Sequence, residues 1–193
     1  MNKKYIEVEN WLADAYYKLL DLESYQNITV TQVCQYSNVS RKSYYNHFKN
    51  NNEILEYVMK NKGREFQSYC DRENSVINKE DLSYKEYYLA YKRFFGFWFN
   101  EDNKHFIEIM SKQDLLYKFS DYINYEDFSC VKYDLNKFNG NKLLKEYYPH
   151  MANAILLKVL EQWYIRGFKE NSDDLASVMM SSNEIFSKHK LKD

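Results

Sequence analysis

A run of hydrogen-bond donors without a single acid is the stretch of this sequence best equipped for chemistry. From Ser24 to Asn52 there is no Asp or Glu, and within that run Arg41, Lys42, Ser43, Tyr44, Tyr45, Asn46, His47 and Lys49 follow closely on one another. Arg41, Lys42 and Lys49 give the run a local charge of +3, in a chain whose net charge is -1. Guanidinium, ammonium, hydroxyl and amide groups all donate to phosphate oxygens and to base edges. On a lone helix the same residues would describe a solvated face, so the elements that present them decide the matter.

Those elements are written in local codes. Thr29 followed by Gln32 is a capping box, with Ile28 and Val33 placed as its hydrophobic staple, and it predicts a helix from about Val30 to Tyr36. Ser37-Asn38 breaks that helix, Asn38 being suited to a left-handed backbone, and Val39 pins the turn. Ser40 is a second N-cap, with Val39 and Tyr44 as staple, and opens a helix at Arg41. Two short helices across a tight turn make a helix-turn-helix.

Thr29, Val33, the run Ser37-Asn38-Val39-Ser40, then Tyr45-Asn46-His47-Phe48 and the pair Ile54-Leu55 resemble the DNA-binding signature of the TetR/AcrR family of transcriptional regulators. Ser37, Asn38 and Asn51 stand where that family has Ala, Gly and a phosphate-contacting Lys. The resemblance implies a homodimer that presents two recognition helices to a palindromic operator on double-stranded DNA. Its DNA-contacting positions fall here on Thr29, Thr31, Ser40, Arg41, Lys42, Ser43, Tyr44, Tyr45, His47 and Lys49. Of these, Thr29, Tyr45, His47 and Lys49 match phosphate-holding positions, and Arg41 to Tyr44 lie where side chains reach bases.

The remainder of the chain reads as helical support. Four Gly and one Pro in 193 residues, with apolar residues at helical spacing, indicate an all-α protein. The mean hydropathy of -0.75 reflects twenty Tyr counted as polar, not disorder. The expected organisation is an N-terminal tri-helical helix-turn-helix domain over residues 1–52, a connecting helix over 53–75, and a larger helical regulatory and dimerisation domain over 76–193. The first helix runs from about Lys4 to Leu22, with Ile6, Leu12 or Trp11, Ala15, Tyr16, Leu19 and Leu20 inward. Asn50 or Asn51 caps the helix that continues to about Tyr69. After a polar loop over Asn74–Asp81, a capping box at Ser83 and Glu86 opens a helix striped by Tyr88, Tyr91, Phe95 and Trp98. Shorter helices follow around Phe106–Met110 and Leu115–Ile123, with a turn at Asn139-Gly140. A long helix spans Lys142 to Arg166, stopped by Gly167 with Phe168 folding back, and Ser172 caps the last.

Two further sets of residues are expected to serve regulation. The aromatic-rich group Tyr91, Phe94, Phe95, Trp98, Phe106, Met110, Tyr117, Phe128 and Trp163 reads either as a packed core or as the lining of a pocket for an apolar or aromatic small-molecule effector, the device the resemblance implies. The stripes carrying Leu156, Val159, Leu175, Val178, Met179, Ile185 and Phe186 are expected at a homodimer interface.

Other chemistry is thinly represented. Gly140 and Gly167 are the closest pair with which a glycine-rich phosphate loop could be built, which argues against cofactor enzymes, and no cofactor is expected. His105 and Glu108 could share a helix face, but two ligands do not make a metal site, and an exposed polar pair is the default reading. Cys34, Cys70 and Cys130 show neither C-x-x-C spacing nor an even count, so no disulfide framework is expected. The start, MNKKYIEVENW, lacks a signal-peptide pattern and no apolar run could span a bilayer; a cytoplasmic protein with no membrane partner is expected. The alternatives are a TetR-like protein that acts through a protein partner and, from another class, a helical enzyme.

Overall fold

The computed structural model describes residues 3–73, 84–123 and 142–188, with the side chains of all of these except 3, 4, 73, 144, 145, 148, 149 and 183–188. Nine α-helices and no strand occur among the described residues, so the all-α expectation holds. The loop over Asn74–Asp81, the cap at Ser83, the turn at Asn139-Gly140 and the side chains of Phe128, Ile185 and Phe186 lie outside what is described.

Helix α1 (Lys3–Leu20) buries Leu12, Ala15, Tyr16, Leu19 and Leu20, while Trp11 stays about half exposed. The apolar position left open between residues 11 and 12 thus belongs to Leu12. Helices α2 (Val30–Ser37) and α3 (Arg41–His47) pack on α1 through Val33, Cys34 and Tyr44. Helix α4 (Asn51–Glu73) runs four residues past the expected end. Its cap is Asn50, whose side-chain oxygen accepts the Glu53 N–H at 3.2 Å.

Helices α5 (Tyr84–Trp98) and α6 (Glu101–Lys112) form the centre of the second half. A cap not foreseen in the sequence, Asn100, accepts the Asn103 N–H at 2.9 Å, with Glu101 and Asp102 opposing the positive end of α6. Helix α7 (Leu116–Phe119) and a 3-10 turn (Ser120–Tyr122) occupy the Leu115–Ile123 stretch. Helix α8 (Lys142–Ile165) lies against α6, and α9 (Ser172–Lys188) against α5. The last cap shifts by one residue: Asn171, not Ser172, accepts the Asp174 N–H at 2.9 Å, and Asp174 reaches back to the Asn171 N–H.

The core of this half is made of rings that touch rings. Trp98 is wholly buried, stacked on Phe66 at 5.9 Å and Phe106 at 6.1 Å and met edge-on by Phe97 at 4.7 Å and Phe119 at 5.8 Å. Such contacts add to what simple burial of the rings contributes. A second group, Phe99, Trp163 and Phe168, closes around the Lys104 ammonium, which sits 4.5 Å from the Phe99 centroid. Phe168 folds back on Trp163 as expected, after Gly167 at φ 71° ends the helix. Gly63 marks the tightest approach of α4 to the 3-10 turn: a Cβ there would lie 2.2 Å from the Tyr122 carbonyl oxygen.

The assignments of five residues change. Leu156, Leu175 and Met179 are buried inside the protomer, so they belong to its own core and not to an exposed dimer face; of that set Val178 is exposed and Val159 partly so. Tyr117 is 78% exposed and lines no interior space. Cys70 is buried and disulfide-bonded, although the cysteine count and spacing suggested no disulfide framework, while Cys34 is free and buried.

Candidate nucleic-acid interface

The helix-turn-helix is assembled by contacts a few residues long. Thr29 Oγ accepts the Gln32 N–H at 3.3 Å and Gln32 Oε1 accepts the Thr29 N–H at 2.7 Å, completing the capping box. Asn38 adopts φ 54°, its N–H bonds the Gln35 carbonyl and the Val39 N–H bonds that of Cys34, the paired bonds of a Schellman end. Ser40 Oγ then accepts the Ser43 N–H at 3.1 Å and launches α3. This fixes the relative placement of α2 and α3, and with it which side of α3 faces outward.

Outward are Arg41, Lys42, Tyr45, Asn46 and Lys49, all exposed and spaced at three and four residues. Thr29 and Thr31 at the start of α2 and Ser40 in the turn are exposed as well, and Ser43 is partly so. Lys49 has a side chain 88% exposed, with Glu53 at 3.9 Å, a surface pair that competing phosphate oxygens can displace. Asn46 of α3 is exposed although the resemblance did not mark it, and Tyr36 of α2 is 57% exposed. The spacing of Asn46 four residues beyond Lys42 was the available signal.

Two expected contacts point elsewhere. Tyr44 is fully buried, and its hydroxyl donates to Asn51 Oδ1 at 2.7 Å. Burial raises its phenol well above the usual value, with Tyr45 adding to the shift, so it stays a neutral donor. Its pairing with Val39 as a staple, and the four-residue step to buried Phe48, already marked it as core. His47 has a side chain only 7% exposed; its ring lies against Tyr5 at 3.9 Å, and Nδ1 sits 3.7 Å from Glu9 Oε1, beyond hydrogen-bond reach. The Tyr5 hydroxyl also donates to the Asn46 carbonyl at 3.0 Å. Tyr44 and His47 therefore hold α3 to its scaffold.

Asn51 takes up an internal task where the resembled family has a phosphate-contacting Lys. Its Oδ1 accepts from Tyr44 and its Nδ2 donates to the Ile28 carbonyl at 2.6 Å, so one amide ties α3, α4 and the stretch of chain entering α2. Cys34 is buried beneath this surface and its thiol is pushed up by desolvation, an inert packing group. Among the described residues no group of three or more His, Cys, Asp or Glu side chains is placed to hold a metal, and no helix is long and apolar enough to cross a membrane.

No family model matches the chain and no curated protein matches it. Among solved structures it is similar to one described as "Dihydroxyacetone kinase operon activator DhaS", with a TM-score of 0.54 over 96% of this chain and 98% of that chain, at 19% sequence identity. Likeness at that identity establishes the fold, and fold alone does not assign function. The all-α architecture of this chain is thus shared with that structure across nearly the whole length of both proteins.

Proposed function

We propose that the chain is a one-component transcriptional regulator of the TetR/AcrR kind, binding a palindromic operator on double-stranded DNA as a homodimer. The observation that carries this reading is the exposed side of α3, where Arg41, Lys42, Tyr45, Asn46 and Lys49 stand outward on a helix capped at both ends and flanked by no acid before Glu53. Arg41, Lys42 and Ser43 lie early on the helix for base edges, and Thr29, Thr31, Ser40, Tyr45 and Lys49 surround them for phosphates. Residues 1–52 form the reading domain, 53–75 the connecting helix and 76–193 the regulatory and dimerisation domain. The protein acts in the cytoplasm and has no enzymatic role or cofactor.

The dimer face is assigned to the apolar residues that α8 leaves outward: Leu143, Tyr147, Met151 and Ile155 follow one another at four-residue steps, each at least 46% exposed. Release by an apolar or aromatic effector rests on the ring cluster around Trp98, whose buried Nε1 has no hydrogen-bond partner among the described residues and would meet an acceptor on such a ligand. The solved structure is named an activator, whereas repressors predominate in the resembled family; repression is proposed here, and a promoter-reporter fusion decides the sign.

Anisotropy titrations of a mixed-sequence duplex across a salt series test the DNA reading. Wild type is expected to show a steep slope, because displaced counterions accompany each phosphate contact, and Lys49→Ala to flatten it by about one unit. Lys42→Ala is expected to relax preference at particular base pairs at a cost of roughly 1–3 kcal/mol. Half-sites should lie about 34–36 Å apart or a multiple of that. A folded wild type with no salt-dependent affinity would assign the face to a protein partner, a reading favoured by the exposed rings of Tyr36 and Tyr45 and by the engagement of Asn51.

A further inference from the structure

Gln113, one residue past the end of α6, is 88 residues from Tyr25, yet its side chain is spent on the loop that joins α1 to α2. Its Nε2 donates to the Leu20 carbonyl at 2.7 Å and to the Glu23 carbonyl at 2.9 Å, while its Oε1 accepts the Tyr25 N–H at 2.9 Å. Two carbonyls facing the nitrogen and one N–H facing the oxygen fix the orientation of the amide without ambiguity. One of the two carbonyls, that of Leu20, ends α1, where a helix has no partners of its own to offer, and the other, that of Glu23, lies in the loop itself.

The backbone around Gln113 is itself held. Asp114 takes φ 56°, its N–H bonds the Ser111 carbonyl and the Leu115 N–H bonds that of Met110 at 2.8 Å, a Schellman end that leaves Gln113 little freedom to turn. Beside it α6 meets α1 again: the Tyr17 ring stacks on Phe106 at 6.2 Å, and His105 lies 3.6 Å from Asp21. On the far side of the loop, the Glu23 carboxylate accepts from Gln32 Nε2, and Gln32 completes the capping box with Thr29. A continuous hydrogen-bonded path thus runs from the end of α6 to the first turn of α2.

We infer that Gln113 is a positioning residue for DNA recognition: it latches the α1–α2 loop to the body and sets the angle at which α3 is presented. This rests on the DNA reading above. Helix α4 is the covalent link between the two halves, but a single helix fixes position better than rotation. A second attachment some distance from its axis fixes the rotation, and in a dimer a rotated reader misplaces one recognition helix relative to the other. The latch therefore governs binding to two half-sites together and leaves each reader intact on its own.

The test compares wild type, Gln113→Ala and Gln113→Met, the last keeping the bulk of the side chain while removing all three hydrogen bonds. The probes are a palindromic duplex recovered by wild type from a randomised library and the same duplex cut to one half-site. Expected are faster amide exchange at Tyr25, a roughly tenfold loss on the palindrome, and unchanged affinity for the half-site, in variants with wild-type far-ultraviolet circular dichroism. Equal loss on both duplexes, or faster exchange with full palindrome affinity, would overturn the positioning role. Should Gln113→Ala fail to fold, Gln113→Met alone decides between these outcomes. If wild type binds no duplex, the DNA reading fails separately, and unchanged Tyr25 exchange in the variants would then overturn the latch as well.

Discussion

The helix-turn-helix of this protein and its body are built on different length scales. In α2 and α3 nearly every decisive bond spans three to five residues: Thr29 with Gln32, Val39 with Cys34, Ser40 with Ser43. In the body the decisive contacts join distant parts of the chain, as when Trp98 of α5 meets Phe66 of α4, Phe106 of α6 and Phe119 of α7. A local code holds a shape with little buried area, which suits a part that must keep its outer face free. Around Trp98 the body instead commits its large rings inward.

That comparison ranks substitutions by size. Trp98→Ala, where five rings meet the indole, is expected to cost about 3–5 kcal/mol, transfer of the indole plus the cavity left behind. Urea unfolding followed by circular dichroism measures it. A loss below about 1 kcal/mol would mean that the rings border a space already open, and would strengthen the effector-pocket proposal at the expense of the packed-core description.

The same difference in scale decides how much could be read from the sequence. The capping box at Thr29, the left-handed Asn38 and the cap at Ser40 were legible because each partner lies within one turn. So was the all-α class, through spacing. The four-residue step from Tyr44 to Phe48 also carried its message, but the resemblance placed Tyr44 among base readers and the hydroxyl's true partner, Asn51, lies on the next helix. His47 went astray for a more distant reason, since Glu9 and Tyr5 lie on α1, far back along the chain. Leu156, Leu175 and Met179 show a limit of periodicity: a stripe tells that a face is covered, not whether the cover is the same chain or a second copy. Gln113 carried no signal at all, because nothing in its own neighbourhood reveals a partner 90 residues away.

Tyr44→Phe probes the seam between the two scales. The ring remains in the core, but Asn51 Oδ1 loses its donor in a partly buried setting, at an expected cost of about 1 kcal/mol. Thermal unfolding should register that loss, while selection from a randomised duplex library should return the wild-type sequence preference. A changed preference with unchanged stability would reinstate Tyr44 as a base reader. It would also show that α3 rotates on its scaffold, which the bonds of Asn51 to both Tyr44 and Ile28 oppose.

The smallest effect concerns the surface join between α5 and α9. Asp173 accepts the Tyr88 hydroxyl at 2.7 Å and sits 2.7 Å from the Lys92 ammonium. The Lys92 contact first, and the Tyr88 bond second, hold the carboxyl below its ordinary range, while Asp173 in turn holds Lys92 above its own. A depressed carboxylate stabilises the fold above its unfolded pKa, and that contribution disappears as pH falls through the folded value; the raised Lys92 is the mirror case, its contribution lost only as pH climbs past the ordinary lysine range. Melting curves of wild type and Asp173→Asn should therefore run slightly apart at neutral pH and converge in acid below about pH 4. Because the group is exposed, added salt should narrow the gap as well. A gap as large as that of Trp98→Ala, or one indifferent to acid, would mean that α9 is held to the body by charge and not by burial of Leu175, Ala176, Met179 and Met180, and the contrast of scales would fail where the body looks most securely packed.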